Sequence, residues 1–543
     1  MLTLRNHSFR IIGKKMKQIL IIFLSCITLI ACENSPKVII DNQTLIGKYH
    51  SNTEIASFLG IPFAEPPIND LRWSAPLAFI PKNSIRQATD FAPACMQNMG
   101  ILEWYRDLAE VFGNNRNVVD DLDISEDCLY LNIWTPTTDE KANLPVMVYI
   151  HGGSNNSGWS FEPNYHGYAL AQKNVVVVSI AYRLGGFGFI SHPEIENEDA
   201  IANFGLWDQI TALKWVKKNI SKFGGNPNKV TAFGESAGAQ DILALLFAKP
   251  AKDLIHQAIL QSNAGFGMLE ETDGNGHVES NIENEKQRGQ ELSLILSENE
   301  KPLSLEELKK IPSEIILQKY NEHFSDYYHS PAVDGQLIEI ATWKDMQQSD
   351  LENVKLIIGS NADEYYANIP ESVNNQDILT TTEILHQNHN DEAYLAVKDE
   401  EDPRNALDRL YTADGMLCPS QYLADKINAD GGESWVYYFS RIRDGDAAKH
   451  KMVRAYHGAE LPYVFNTHDP WMTTTEKDLA LTKILTDYWI QFAKTGNPNA
   501  GHMPNWPMFN FSKESVQNFG DYVSTINSPE PILCDLFHRD IKF

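Results

Sequence analysis

Positive charge is scarce in this chain. Over 543 residues, 45 lysines and arginines face 72 aspartates and glutamates, which leaves a net charge of −27. A surface of that sign repels phosphate backbones, so nucleic acid is not an expected partner and neutral or cationic small molecules remain open. No glycine-rich phosphate loop, zinc-type His/Cys cluster or calcium-loop pattern occurs, and the sequence calls for no cofactor. Internal repeats, low-complexity tracts and Pro/Gly/Ser linkers are missing too. The 43% hydrophobic and 22% charged residues are those of a globular protein, not of a disordered or multi-span membrane chain.

Long apolar runs are almost absent. The exception, Ile19 to Ile30, follows Lys14, Lys15 and Lys17, and gives residues 1–31 the form of a secretory signal, too short and lopsided for a spanning helix. It ends Leu29-Ile30-Ala31-Cys32, which looks like the lipobox of bacterial lipoproteins. That pattern implies removal of residues 1–31, a lipid on Cys32 as the only membrane link, and a place in the bacterial cell envelope. An ordinary signal releasing a periplasmic or secreted protein is the alternative. Met16 is a more natural start than Met1, since residues 1–15 make an unusually long basic extension. Removing Arg5, Arg10 and those three lysines, with no acid among residues 1–31, takes the net charge from −27 to −32.

Cysteines number only six. Cys26 leaves with the signal and Cys32 takes the lipid. Cys95, Cys128, Cys418 and Cys534 remain, an even number suited to disulfides in an oxidising compartment, with three pairings open on arithmetic alone.

What the sequence does contain is an alternation of strand and helix. Val146 to Ile150 and Val175 to Ile180 are short apolar, β-branched runs, the pattern of strands buried on both faces. Ile210 to Ile220 reads as a helix, Gly224 to Pro227 as a turn, Lys229 to Phe233 as a strand and Ala237 to Phe247 as a helix. Ile255 to Leu260 reads as a helix-like segment shading into a strand. This is an α/β fold with a large, mostly parallel sheet and helices on both faces, in one domain over residues 32–543. The charged stretches at about 269–320 and 366–430 read as helical excursions over the active-site end of the sheet, or as an insert that binds a partner.

Gly234-Glu235-Ser236-Ala237-Gly238 fits the G-x-S-x-G turn and lies between that strand and helix. Small flanking residues let the chain turn sharply and lift the hydroxyl above the sheet. The first N–H groups of the helix lack intrahelical partners, so Ala237 N–H is free to face a developing oxyanion. Serine needs a base, and the base an orienting acid, in chain order Ser, Asp/Glu, His. Sixteen histidines offer themselves, and spacing alone does not choose among them.

Glu126 to Asn132 and Phe233 to Gly238 together resemble the two signatures of the type-B carboxylesterase and cholinesterase family. Phe58-Leu59-Gly60-Ile61-Pro62, Phe223 to Pro227 and Thr495-Gly496-Asn497-Pro498 are also similar to family segments, in colinear order over roughly residues 37 to 538. The resemblance implies an α/β-hydrolase that cleaves small-molecule carboxylic esters through an acyl-enzyme on Ser236. It implies Glu364 as the acid, with Tyr365 where the family usually has glycine and Asp363 as the rival carboxylate. His457, in His457-Gly458-Ala459-Glu460, becomes the base. Backbone N–H groups of Gly153 and Ser154, the latter usually glycine, join Ala237 as oxyanion donors. It also implies the disulfides Cys95–Cys128 and Cys418–Cys534. Two other readings stand beside it: a relative that has lost catalysis and binds partner proteins, and an amidase or thioesterase on the same machinery. The family's choline-binding tryptophan falls near Val118, with Trp104 out of register, which disfavours choline esters. Oligomeric state is not legible.

Overall fold

A computed structural model describes residues 35–541 except 52, 197–198, 264–280, 300, 325–327, 340–345, 347, 446–453 and 514. The signal, Cys32 and the start of the first helical excursion lie outside the described residues.

Eleven strands form the main sheet: β1 (Lys48–Tyr49), β2 (Ala56–Pro62), β3 (Tyr130–Thr135), β4 (Leu144–Ile150), β5 (Val176–Ile180), β6 (Gly225–Glu235), β7 (Gln257–Gln261), β8 (Lys355–Asn361), β9 (Glu433–Phe439), β10 (Ser515–Phe519) and β11 (Val523–Asn527). Their spatial order is β11-β10-β9-β8-β7-β6-β4-β5-β3-β2-β1. The strands from β10 to β5 pair in parallel, and antiparallel strands close both edges. In β4 the side chains alternate between two cores: Val146, Val148 and Ile150 pack on one face, Met147 and Tyr149 on the other. Period-two alternation therefore reads as a continuous apolar run, because both faces are covered.

The runs Val146 to Ile150 and Val175 to Ile180 are β4 and β5, and Lys229 to Phe233 lies within β6, which begins earlier because Gly225 already pairs with Leu144. The helix expected at Ile210 to Ile220 runs over Phe204–Asn219 and tightens into a 3₁₀ turn over Ile220–Phe223. Ile255 and His256 are not helical; they lead straight into β7. The later excursion holds the helices Asn375–Leu385, Asn390–Val397, Pro403–Thr412 and Cys418–Ala429. Both expected disulfides are formed. Cys95–Cys128 closes a loop that carries the helix Gly100–Val111, and Cys418–Cys534 ties the helix Cys418–Ala429 to the C-terminal helix Pro531–Ile541. A separate three-stranded sheet of Lys37–Ile40, Gln43–Ile46 and Ser84–Gln87 flanks the body. No described helix is long and apolar enough to cross a membrane.

Candidate active site

Ser236 sits where β6 breaks into the helix Ala237–Phe247, with φ 56° and ψ −128°, a conformation side chains rarely adopt. Its N–H donates to Gln261 O at 2.9 Å, which ties the turn to β7. The flanking glycines are required by contact: a Cβ on Gly234 would lie 2.7 Å from Ile150 O, and one on Gly238 would press on the same oxygen. The elbow thus needs small residues because it is packed against the end of β4.

Glu364 and His457 meet. His457 Nδ1 and Glu364 Oε2 are 2.6 Å apart, and Glu364 Oε1 accepts the Asn361 N–H at 2.6 Å. Asp363 is engaged elsewhere: its Oδ1 pairs with Arg454 Nη2 at 2.8 Å and its Oδ2 accepts the Ala455 N–H at 3.0 Å. Of the two adjacent carboxylates, only Glu364 faces the imidazole. Tyr365 has φ −109°, a value open to any residue, so the absence of glycine there does not disturb the turn.

The other edge of the ring was not foreseen. His457 Nε2 lies 3.2 Å from Glu235 Oε1, the residue preceding Ser236. Among the described residues the Ser236 hydroxyl makes no hydrogen bond; it opens on the same cleft as His457, Glu235 and Glu364. Burial alone would push the imidazole pKa down, but Glu235 and Glu364 outweigh it and raise it to about 10. Burial pushes the Glu235 carboxyl up to about 8, opposed by His457 and helped by Glu460 and Glu364. Glu460 lies one layer behind, accepting from Gln261 Nε2 at 2.8 Å and Asn361 Nδ2 at 2.7 Å.

The loop after β4 crosses the elbow closely. Gly153 (φ 100°) and Ser154 (φ 58°) both adopt left-handed backbone, which is the physical reason for glycine to be usual at 154. Among the described residues the N–H groups of Gly153, Ser154 and Ala237 donate to no protein acceptor. The loop is held from behind: Tyr182 Oη donates to His151 O at 2.7 Å and to Asn155 Oδ1 at 3.1 Å, and Asn155 Nδ2 donates to Asp241 Oδ1 at 3.0 Å.

A cleft of about 210 Å³ joins these groups. Part of its apolar wall is Ile101, Trp104, Tyr105 and Leu108 of the helix Gly100–Val111, with Tyr165, Tyr456 and Leu461 completing it. Leu102 and Ala109 of the same helix are buried in the core and do not line the cleft. Of the two helical excursions, the later one reaches the cleft through Ala367 and Asn368, beside four residues of the first disulfide loop. No described residue of 282–324 lines it. Trp104 lines the cleft despite being out of register, whereas Val118 is exposed and lies outside it. The amphipathic spacing of residues 101–108 was the signal that could have found this wall. No group of three or more His, Cys, Asp or Glu among the described residues is arranged to hold a metal.

Parallel strands ending beneath a serine-bearing strand-to-helix turn define an α/β-hydrolase. A model described as the carboxylesterase family matches residues 34–530, and the chain belongs to that family. Carboxylesterase 1D of Rattus norvegicus is 32% identical, over 92% of each chain. Fumonisin B1 esterase of Sphingopyxis macrogoltabida is 31% identical, over 87% of this chain and 84% of its own. Among solved structures, a PNB esterase superposes with a TM-score of 0.78 at 27% identity, over 93% of this chain and 99% of that one. The protein is therefore a serine hydrolase of carboxylic esters, with small-molecule esters as its substrate class.

Proposed function

We propose that Ser236 is the nucleophile, His457 the general base and then acid, and Glu364 the residue that orients the ring. The observation that carries this reading is the 2.6 Å contact between His457 Nδ1 and Glu364 Oε2 in the cleft onto which Ser236 opens. With Nδ1 held, Nε2 is the edge that takes the serine proton as Oγ bonds to the ester carbonyl carbon. Negative charge then grows on the carbonyl oxygen, where the N–H groups of Gly153, Ser154 and Ala237 stabilise it. Collapse breaks the bond to the leaving alcohol, which receives the proton from Nε2. Water, activated by the same nitrogen, then frees the acid and restores Ser236.

Residues 32–543 act in this reading as one catalytic domain, exported by residues 1–31 and anchored through a lipid on Cys32, with no nucleic-acid partner. The direct test replaces Ser236 by Ala and labels the parent protein with an organophosphate. Turnover of p-nitrophenyl esters should vanish with the fold intact, and the adduct should map to Ser236. A label on another residue, or wild-type turnover by the variant, overturns the assignment.

A further inference from the structure

Three residues in a row after β4 hold left-handed backbone: Gly153 (φ 100°), Ser154 (φ 58°) and Asn155 (φ 53°). Glycine accepts that conformation freely and asparagine more readily than most, but such a run persists only where its surroundings over-determine it. Two of its N–H groups, those of Gly153 and Ser154, are the oxyanion donors of the proposed mechanism. The third donor, Ala237 N–H, comes from a different element, so something has to keep the two in register.

Asn155 supplies the hold on the loop. Its side chain is fully buried and each of its polar atoms is engaged: Nδ2 donates to Asp241 Oδ1 at 3.0 Å and to His329 O at 2.9 Å, and Oδ1 accepts from Tyr182 Oη at 3.1 Å. Turning the amide over would set its oxygen against a carboxylate and a carbonyl, so these contacts fix its orientation. The backbone is pinned beside it. Ser154 O accepts the His329 N–H at 3.2 Å, and Asn155 O accepts the Gly185 N–H at 2.7 Å.

Asp241 carries the hold to the nucleophile. It is the fifth residue of the helix Ala237–Phe247, whose first residue is the donor Ala237, and it is fully buried. Its second oxygen accepts from Gln209 Nε2 at 2.5 Å, in the helix Phe204–Asn219. Burial pushes the carboxyl up to about 7, and the amides of Gln209 and Asn155 oppose that. One carboxylate thus joins the elbow helix, the loop after β4 and a neighbouring helix.

We propose that Asn155 and Asp241 are positioning residues for the oxyanion hole: their bond locks the loop donors Gly153 and Ser154 to the helix donor Ala237, so that the three N–H groups converge on one oxygen. The proposal rests on the reading of those groups as the oxyanion donors. Neither side chain lines the cleft, so both act through the backbone that they hold. Full negative charge reaches the carbonyl oxygen only in the transition state, and misaligned donors are therefore felt in kcat and little in KM.

The test is a double-mutant cycle of Asn155→Gly, which keeps the left-handed backbone free of strain, and Asp241→Ala. It is read by steady-state kinetics on a p-nitrophenyl ester and by inhibition with an alkyl trifluoromethyl ketone, whose adduct with Ser236 carries an oxyanion. Each single variant should lower kcat on the order of 100-fold, weaken the ketone by a similar factor and leave KM within about threefold. The double variant should be no worse than either single, because both remove the same bond. Asp241→Asn keeps an acceptor for Asn155, and its amide can donate to Gln209 Oε1, which has no hydrogen-bond partner among the described residues. That variant should stay within about a few-fold of the parent in kcat, and with Asn155→Gly it decides the matter if Asp241→Ala does not fold. Losses that add across the cycle, losses that fall on KM alone, an unchanged kcat in Asn155→Gly, or a kcat loss on the order of 100-fold in Asp241→Asn overturn the positioning role. A parent protein that binds the trifluoromethyl ketone no tighter than the matching methyl ketone overturns the oxyanion reading, and the proposal with it.

Discussion

Glu235 Oε1 stands 3.2 Å from His457 Nε2, so the imidazole lies between two carboxylates, Glu235 on one edge and Glu364 on the other. Both favour the imidazolium, and the ring has to be neutral to accept the serine proton.

The pH profile follows from that sign. Because the folded-state pKa of His457 is raised, to about 10, the base is lost as pH falls through the raised value, not through the ordinary value near ~6.5. The acid limb of kcat/KM should therefore lie on the alkaline side of ~6.5. Glu235→Gln removes one of the three raising charges, those of Glu235, Glu364 and Glu460, and should move that limb to lower pH. A pH–rate profile of both proteins on a neutral ester checks this; coincident limbs would mean that Glu235 does not act on the base.

Glu364→Gln should leave the fold intact and lower kcat by a factor on the order of 10⁴, as expected when the base loses its orienting carboxylate. Asp363→Asn should cost far less, because Asp363 bonds to Arg454 and the Ala455 N–H and not to the ring. Steady-state kinetics beside far-UV circular dichroism separates the two. Were Asp363→Asn the crippling change, the acid would be misassigned.

Ser154 occupies left-handed backbone at φ 58°. Ser154→Gly should relieve that strain and stabilise the protein by about 0.5–1 kcal/mol, with kcat changed by no more than about a few-fold since the N–H is kept. Thermal melts and kcat on one substrate are sufficient, and a drop in kcat on the order of 100-fold would show that the side chain itself takes part.

The two disulfides should differ in kind. Chain-entropy arguments give about 4 kcal/mol for a 33-residue separation and about 5 for 116, so both pairs stabilise. Only Cys95–Cys128 encloses the cleft wall. Replacing that pair by serines should raise KM for bulky acyl esters as well as lower Tm, whereas replacing Cys418 and Cys534 should lower Tm with KM little changed. Equal KM effects would count against the wall.

The central strands β4 to β6 and the elbow were legible because a buried parallel strand writes itself as an unbroken apolar run and the turn after β6 tolerates only small neighbours, whereas β8 to β10 carry polar residues such as Ser360, Ser434 and Gln517 that break the run. The pairing of Glu364 with His457 came through family resemblance; 93 residues separate them, and no local pattern reports that distance. Glu235 was in plain view yet unread, since its facing of His457 depends on how β6 meets the loop carrying Gly458. The cleft wall was missed for a similar reason. Residues 100–111 look like any amphipathic helix, and only the packing of Leu102 and Ala109 into the core turns Ile101 and Trp104 toward the serine.

The helix Gly100–Val111 belongs to a loop clasped at its base by Cys95 and Cys128, while Ser236, Glu364 and His457 issue from the ends of β6, from beyond β8 and from beyond β9. Ile101, Trp104, Tyr105 and Leu108, which line the cleft from this loop, thus belong to a different stretch of chain from the three reacting groups. Residues 96–127 form a loop pinned at both ends by one disulfide, so a substitution at Ile101 or Trp104 reshapes the cleft without touching the strands that carry Ser236, Glu364 and His457.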